Sequence, residues 1–173
     1  MKEYPIIFSG PMVRAILDGR KTQTRRVIKP QPKGEFCRYG FHMPTQAIWT
    51  DLTVVSCPYG QPGDLLWVRE TFAAAGDQSW VEYRADCDSK VIRWRPSIHM
   101  PRSASRLTLR ITDVRVQRVQ EISEEDARAE GTTGLAGAMT GFPYLWESIN
   151  AKRGYGWNTN PWVWAISFER IMP

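Results

Sequence analysis

The alternation of apolar and polar residues is clearest in the second half of the chain, where it predicts two long β-strands. The apolar positions within residues 106–120 are Leu107, Leu109, Ile111, Val114, Val116 and Val119. Their parity changes twice, and each change indicates a bulge or a bend, because successive side chains of a strand point to opposite faces. A strand at residues 162–168 has one apolar face, made of Trp162, Trp164, Ile166 and Phe168.

Shorter segments follow the same alternation or the helical period. Strands are predicted at residues 4–8, 25–29 and 64–72, with weaker ones at 81–85 and 91–95. A first helix begins after Ser9 and ends at Gly19. A second begins at Ser123, which forms a capping box with Asp126, and ends near Gly131. The apolar stripe of a third helix is Phe142, Leu145, Trp146 and Ile149.

These elements together predict an α+β fold. The strands and helices do not alternate in regular βαβ units, so a small β-barrel with flanking helices is favoured over an open sheet. Residues 30–62 contain five prolines and little periodicity, which predicts a long irregular insertion. No repeat or linker divides the sequence, so we expect residues 1–173 to form one domain.

Composition adds the expectation of a globular, basic protein. Hydrophobic residues make up 42% of the chain and charged residues 24%, as in an ordinary folded domain. The net charge is +5, with basic residues concentrated at 14–33 and 84–118 and acidic residues at 121–130. Such a surface attracts polyanions, nucleic acid first, although charge alone also fits an ordinary solvated surface.

The sequence shows neither a targeting signal nor a metal-binding pattern. The short apolar stretch at its start is interrupted by Ser9, Gly10, Pro11 and Arg14, and no segment is long enough to span a bilayer. We therefore expect a cytoplasmic protein without a membrane partner. The three cysteines and two histidines are widely spaced, which predicts reduced thiols, no metal and no cofactor.

The densest polar cluster is the octapeptide GRKTQTRR at residues 19–26, between the first helix and a strand. Lys21 and Thr24 could act as base and nucleophile, since a threonine hydroxyl needs a base and a lysine is one only when neutral. Burial and the charges of Arg25 and Arg26 would lower the pKa of Lys21, and these arginines could stabilise an oxyanion. Taken alone, the octapeptide favours a simpler interpretation, an exposed basic turn that binds phosphate.

The octapeptide also resembles the G-x-K-x-x-[ET]-x-R signature of the ASCH superfamily, whose members have a β-barrel related to the PUA RNA-binding domain. The resemblance continues in order through GDLLWV at residues 63–68 and ISEEDARAEG at residues 122–131. The longer form seen here, with IHMPRSASR at 98–106 and NPWVW at 160–164, is similar to ASCH proteins of bacteriophages and prophages. This resemblance implies a PUA-like barrel and a nucleoside or RNA ligand.

One branch of that superfamily consists of small amidohydrolases that remove the acetyl group from N4-acetylcytidine. The signature of that branch reads GRKTxTxR, so Lys21, Thr24 and Arg26 match it position by position, and Glu130 matches its glutamate. The resemblance therefore implies Lys21 as the base, Thr24 as the nucleophile and Glu130 as the acid. We expect Arg26 to hold the oxyanion.

Three further residues are candidates for contacts with the substrate, and two other functions remain as alternatives. Glu70 is expected either to pair with Arg25 or Arg26 at the barrel mouth or to form a structural ion pair. Arg102 and Arg106 are expected to form a second wall that contacts phosphate. The alternatives to an amidohydrolase are a non-catalytic module that binds RNA or nucleotides and a metal-independent ribonuclease.

Overall fold

The computed structural model of the chain describes residues 1–35, 46–49, 54–74, 80–87, 93–132 and 137–171. The strands among them are β1 (Glu3–Ile7), β2 (Gln23–Val27), β3 (Gln46–Ile48), β4 (Val54–Ser56), β5 (Leu65–Arg69), β6 (Phe72–Ala74), β7 (Val81–Tyr83), β8 (Thr108–Arg118) and β9 (Trp162–Ile171). The helices are α1 (Gly10–Leu17), α2 (Glu124–Ala129) and α3 (Ala138–Asn150). None of these helices has both the length and the apolar character needed to cross a membrane.

Five strands form the main sheet, in the order β1-β5-β8-β9-β2. β1 and β5 run parallel, and the other neighbours are antiparallel. The ladder between β8 and β9 shifts register between Ile111 and Asp113, which confirms the bend predicted at the first change of parity. The second change, at Val119, instead marks the end of β8 and the start of a 3-10 turn.

The two edges of the main sheet are linked by a side chain. β1 and β2 are the edge strands, and no backbone pairing joins them within the described residues. Nη2 of Arg26 in β2 donates a hydrogen bond of 2.7 Å to the carbonyl oxygen of Ile7 in β1. The α+β class is confirmed, and the described strands form an open sheet with its edges close together rather than a closed barrel.

The apolar face of β9 lies at the centre of the core. Its buried members are Trp162, Trp164, Ile166 and Phe168, as the alternation predicts. They belong to one cluster with Val13 and Ile16 from the buried side of α1. Burial of a large apolar side chain contributes about 1.5–3 kcal/mol, so these contacts hold α1 on the sheet.

A second cluster joins α2 and α3 to the other face of β9. Its members include Ala127 of α2, Phe142 and Trp146 of α3, and Val163 of β9. α2 begins as predicted, because the Ser123 hydroxyl accepts a hydrogen bond of 3.1 Å from the backbone amide of Asp126. β9 is therefore covered on both faces, and α2 and α3 are held at the same side of the sheet.

The strand predicted at residues 64–72 is two strands in the structure. β5 and β6 are separated by Glu70 and Thr71. Glu70 is only 2% exposed and pairs with Arg106. A charged side chain buried at this point interrupts the regular pattern of the sheet. β2 begins at Gln23 rather than at the predicted residue 25, because its pairing with β9 extends that far.

The two weaker strand predictions have different outcomes. The strand predicted at residues 81–85 is the shorter β7, which pairs with β6. In the segment predicted at 91–95, residues 91 and 92 lie outside the described residues. Arg95 of that segment forms an isolated bridge with Phe72.

The insertion predicted at residues 30–62 is described in part. Residues 36–45 and 50–53 lie outside the described residues, and β3 and β4 pair with each other. Trp49, which follows β3, is fully buried and packs edge-on against Trp162, with ring centres 6.0 Å apart. Trp49 therefore anchors the end of β3 to the core by an aromatic contact.

Candidate functional site

The turn after α1 is held by backbone hydrogen bonds to both neighbouring helices. Gly19 ends α1 with a φ of 74°, in the left-handed conformation that favours glycine. The amide of Lys21 donates to the carbonyl of Ala15 in α1 at 2.9 Å. The amide of Thr22 donates to the carbonyl of Ala129 at the end of α2 at 2.8 Å. These bonds position Lys21 between the ends of the two helices.

Lys21 and Glu130 form a buried ion pair. Nζ of Lys21 lies 2.7 Å from Oε2 of Glu130. It also donates to the backbone carbonyls of Glu130, at 2.9 Å, and of Gln23, at 2.8 Å. An ammonium group has three N–H donors, so all of them are used. The two groups are thus in direct contact, beside the peptide that joins Gln23 to Thr24.

Arg25 binds the other oxygen of the same carboxylate. Its Nη1 lies 3.1 Å from Oε1 of Glu130, and its Nη2 lies 2.7 Å from Oδ2 of Asp126. Nη1 also donates to Oε1 of Gln23 at 2.7 Å. Glu130 is therefore compensated by two cations, as a buried carboxylate must be if it is to stay ionised.

The pKa of Lys21 lies below its ordinary value of 10.5. Burial is the largest cause, because the charged form loses its hydration. The charges of Arg26 and Arg25 lower this pKa further, whereas the charge and the hydrogen bond of Glu130 raise it. Lys21 therefore releases a proton more easily than an exposed lysine does, which a general base requires.

A cavity of about 490 Å³ opens beside this pair. The members of the predicted cluster that line it are Lys21, Thr24, Arg25, Arg26 and Glu130. Thr24 is only 4% exposed, and its hydroxyl makes no hydrogen bond with the described part of the chain. The volume is within the range of small-molecule sites, roughly 300–1,000 Å³. The cavity therefore brings a hydroxyl, an amine and a carboxylate together.

The remaining wall of the cavity is largely apolar and aromatic. Its aromatic residues are Phe8, Tyr59, Phe142, Trp146 and Tyr155. The ring of Phe8 lies under two of the cations, with its centre 5.5 Å from Nζ of Lys21 and 5.1 Å from Cζ of Arg26. Aromatic walls with a few convergent polar groups suit a flat heteroaromatic ligand.

Several lining residues were not predicted from the sequence to belong to the site. They are the aromatic residues above together with Lys29, Asn150 and Arg153. They come from segments far apart along the chain, which only folding brings together. The one available hint is the polar and aromatic run at residues 152–155, directly after the amphipathic third helix.

Glu70, Arg102 and Arg106 do not line this cavity. Glu70 forms a bidentate ion pair with Arg106, at 2.9 and 3.1 Å. Arg102 pairs with the exposed Glu3 at 2.8 Å. Of the two roles expected for Glu70, its contacts are therefore those of a structural ion pair and not of a partner to the arginines of β2.

The described residues contain no group of three or more His, Cys, Asp or Glu side chains that could hold a metal ion. Cys57 is buried, and burial raises the pKa of its thiol to about 11. A thiol of this kind stays protonated near neutral pH and is a poor nucleophile.

Comparison with known proteins gives structural neighbours but no sequence family. No family model matches the chain, and no curated protein matches it. The chain is similar in fold to an ASCH domain. That domain is from Lactobacillus crispatus JV V101, is 14% identical, and has a TM-score of 0.47 over 98% of this chain and 79% of its own. A protein of Enterococcus faecalis V583 described as DUF984 is 13% identical, with a TM-score of 0.48 over 99% and 81%.

Proposed function

We propose that this protein is an amidohydrolase that removes an acyl group from the exocyclic amine of a modified base or nucleoside, of the N4-acetylcytidine kind. The observation that carries this proposal is the buried Lys21–Glu130 pair at the wall of a cavity that Thr24 also lines. The three side chains supply a base, an acid and a nucleophile, which is the set that amide cleavage uses.

A proton transfer within the ion pair would prepare two of these groups at once. As an ammonium, Lys21 has no lone pair with which to accept a proton, and its three N–H groups are all donated. Transfer of one proton from Nζ to Oε2 of Glu130 gives a neutral amine and a carboxylic acid. Burial lowers the pKa of Lys21 and therefore favours its neutral amine. Lys21 then serves as the base, and Glu130 carries the proton that the leaving group needs.

The reaction balances on these groups. The amine of Lys21 takes the hydroxyl proton of Thr24 while the hydroxyl oxygen attacks the acyl carbonyl. The oxyanion forms beside Arg26, whose side chain lines the cavity. The C–N bond breaks as Glu130 protonates the departing amine, which leaves an acyl ester on Thr24 and restores the ion pair. Water then hydrolyses the ester and frees Thr24.

A non-catalytic module that binds RNA or a nucleotide is the second candidate. The observation that favours it is the complete hydrogen bonding of Lys21, which also fits a purely structural ion pair. Such a module needs no hydroxyl at Thr24. Dependence on that hydroxyl therefore separates the two functions.

Chromatography of N4-acetylcytidine incubated with the purified protein tests the proposal. We expect cytidine release to fall about 100-fold or more in Thr24→Ala and to persist in part in Thr24→Ser, because serine keeps the hydroxyl. Thr22→Ala is the matched control. It removes the same atoms from an exposed residue two positions earlier in the chain that does not line the cavity, and it should leave cytidine release unchanged.

Cytidine release is also measured for Lys21→Met and Glu130→Gln. A thermal unfolding curve of each variant shows whether it is folded. Equal cytidine release by Thr24→Ala and the wild type would contradict the nucleophile. No release by the wild type, with RNA binding that persists in Thr24→Ala, would favour the binding module. Cleavage of short RNAs that depends on Lys21 and on the 2′-hydroxyl would favour a ribonuclease.

A further inference from the structure

The cavity carries more positive than negative charge. Its lysines, arginines and carboxylates, within the described part of the chain, are Lys21, Arg25, Arg26, Lys29, Arg153 and Glu130. Glu130 is already shared between Lys21 and Arg25. No described carboxylate forms an ion pair with Arg26, Lys29 or Arg153. A concave site with this excess of positive charge attracts an anion.

Arg26 extends the positive charge into the interior of the cavity. Its guanidinium lies over the rings of Phe8 and Tyr59, with Cζ 5.1 and 6.0 Å from the two ring centres. Burial, above all, lowers the pKa of Arg26, and the nearby charge of Arg153 lowers it further, against the opposing effects of Tyr59 and Glu130. Two guanidinium groups thus repel each other at this cavity, and a bound anion would relieve that repulsion.

The exposed side chains of Lys29 and Arg153 mark the mouth of the cavity near Tyr155. Nζ of Lys29 lies 5.3 Å from the centre of the Tyr155 ring. Two hydrogen bonds fix the turn that carries Arg153 and Tyr155, one made by the amide of Tyr155 and one by its carbonyl. The amide of Tyr155 donates to the carbonyl of Asn150 at 3.1 Å, and its carbonyl accepts from Nε1 of Trp146 at 2.8 Å. The backbone that carries Arg153 is therefore preorganised by hydrogen bonds within the protein.

We propose that Lys29 and Arg153 form a phosphate subsite at the mouth of the cavity, so that the substrate is a nucleotide or a nucleic-acid strand rather than a free nucleoside. The ribose of a nucleotide separates the base from the phosphate. A base held between the aromatic walls therefore carries its phosphate to the mouth, where charge-assisted hydrogen bonds can form. This assignment rests on the proposed function for the occupant of the inner cavity, whereas phosphate binding itself does not require hydrolysis.

Substrates with and without a phosphate test the subsite kinetically. We would measure kcat/KM for N4-acetylcytidine and for its 5′-monophosphate, and express the preference as their ratio. We expect the wild type to prefer the monophosphate. The preference should fall about tenfold in Lys29→Gln and in Arg153→Gln, because each loses one charged contact to phosphate.

Lys152→Gln is the matched control for these two variants. Lys152 is exposed and directly precedes Arg153, but it does not line the cavity. The substitution removes the same charge from the surface, so a general electrostatic attraction would be weakened equally by all three. A specific subsite leaves the preference of Lys152→Gln unchanged.

A binding measurement separates failure of the subsite from failure of the proposed function. Calorimetric titrations with cytidine and with cytidine 5′-monophosphate require no turnover. If neither acetylated compound is hydrolysed, but the monophosphate binds more tightly and Lys29→Gln and Arg153→Gln abolish the difference, the proposed function fails and the subsite stands.

A short RNA with one N4-acetylcytidine distinguishes the two sources of phosphate. A higher kcat/KM for the RNA than for the monophosphate identifies a strand as the substrate, and the reverse order identifies a free nucleotide; both support the subsite. Equal binding of cytidine and its monophosphate overturns it. An equal loss of preference in Lys152→Gln overturns it as well.

Discussion

Nζ of Lys21 lies 2.7 Å from Oε2 of Glu130, although 109 residues separate the two along the chain. The backbones of the two residues are also paired, in an isolated β-bridge. The pair joins the turn after α1 to the end of α2, and in the proposed reaction it supplies both the base and the acid. Changes at either residue should therefore affect stability and chemistry together.

The stability of the protein should depend on pH through Lys21. Its pKa in the folded state lies below 10.5, chiefly because the ammonium is buried. Between the folded pKa and 10.5, the unfolded chain keeps a proton that the folded chain has released. The free energy of unfolding should therefore rise with pH in this window, by at most about 1.4 kcal/mol per pH unit. This contribution is lost as the pH falls through the folded pKa.

Denaturant unfolding from neutral pH to about pH 10 checks this dependence. The reference is the double variant Lys21→Met/Glu130→Gln, which keeps similar side-chain volumes and titrates at neither position. We expect the stability difference, wild type minus double variant, to increase with pH. A difference that stays flat or decreases would contradict the lowered pKa of Lys21.

Gly131 should not tolerate a side chain. It has a φ of 80°, and an added Cβ would lie 3.1 Å from the Cβ atoms of both Ala15 and Lys21. Gly131→Ala thus combines the cost of a left-handed residue with overpacking, which is typically about 1–3 kcal/mol. The matched control is Gly154→Ala, because Gly154 has a φ of 82° and nothing within 4 Å of the added atom.

Thermal unfolding and cytidine release of the two glycine variants give the comparison. We expect Gly131→Ala to have the lower midpoint and the lower activity, since the new methyl group pushes against the side chain of the proposed base. Equal midpoints and equal activities would show that the space between Ala15 and Lys21 adapts freely to the methyl group.

Arg106 should contribute far more to stability than Arg102. Arg106 pairs with Glu70, which is 2% exposed and whose carboxyl pKa is raised by burial. Arg106→Met leaves that carboxyl group buried without its partner, a change that typically costs about 3–5 kcal/mol. Arg102→Met breaks an exposed pair with Glu3 and should cost less than about 1 kcal/mol. Denaturant midpoints of the two variants measure the difference, and similar midpoints would refute it.

The regular elements with local signatures were correctly predicted from the sequence. β9 is recognisable from its alternating aromatic face, α2 from the cap formed by Ser123, and the bulge in β8 from the change of parity after Ile111. Closure of the sheet was not predictable in this way. Whether β1 and β2 pair depends on how far the whole sheet curls, and here Arg26 links the two edges through its side chain instead.

The residues of the candidate site likewise divide into those that the sequence indicated and those that it did not. Lys21, Thr24 and the two arginines of β2 are close together in the sequence, so a single turn indicated them. Glu130 was proposed only through the resemblance to a family. Tyr59 and Tyr155 carry no periodic or spacing signal, because each reaches the cavity from its own distant segment.

The sequence by itself determined the elements with a clear period or cap, such as β9, α2 and the apolar stripe of α3, and which turn concentrates the reactive groups. These properties depend on side-chain periods and caps, which act over a few residues. Only the tertiary structure decided that Glu130 meets Lys21, that Glu70 meets Arg106, and that Lys29 shares a cavity with Arg153. Such contacts depend on strand order and on the packing of helices across the sheet, and local alternation specifies neither.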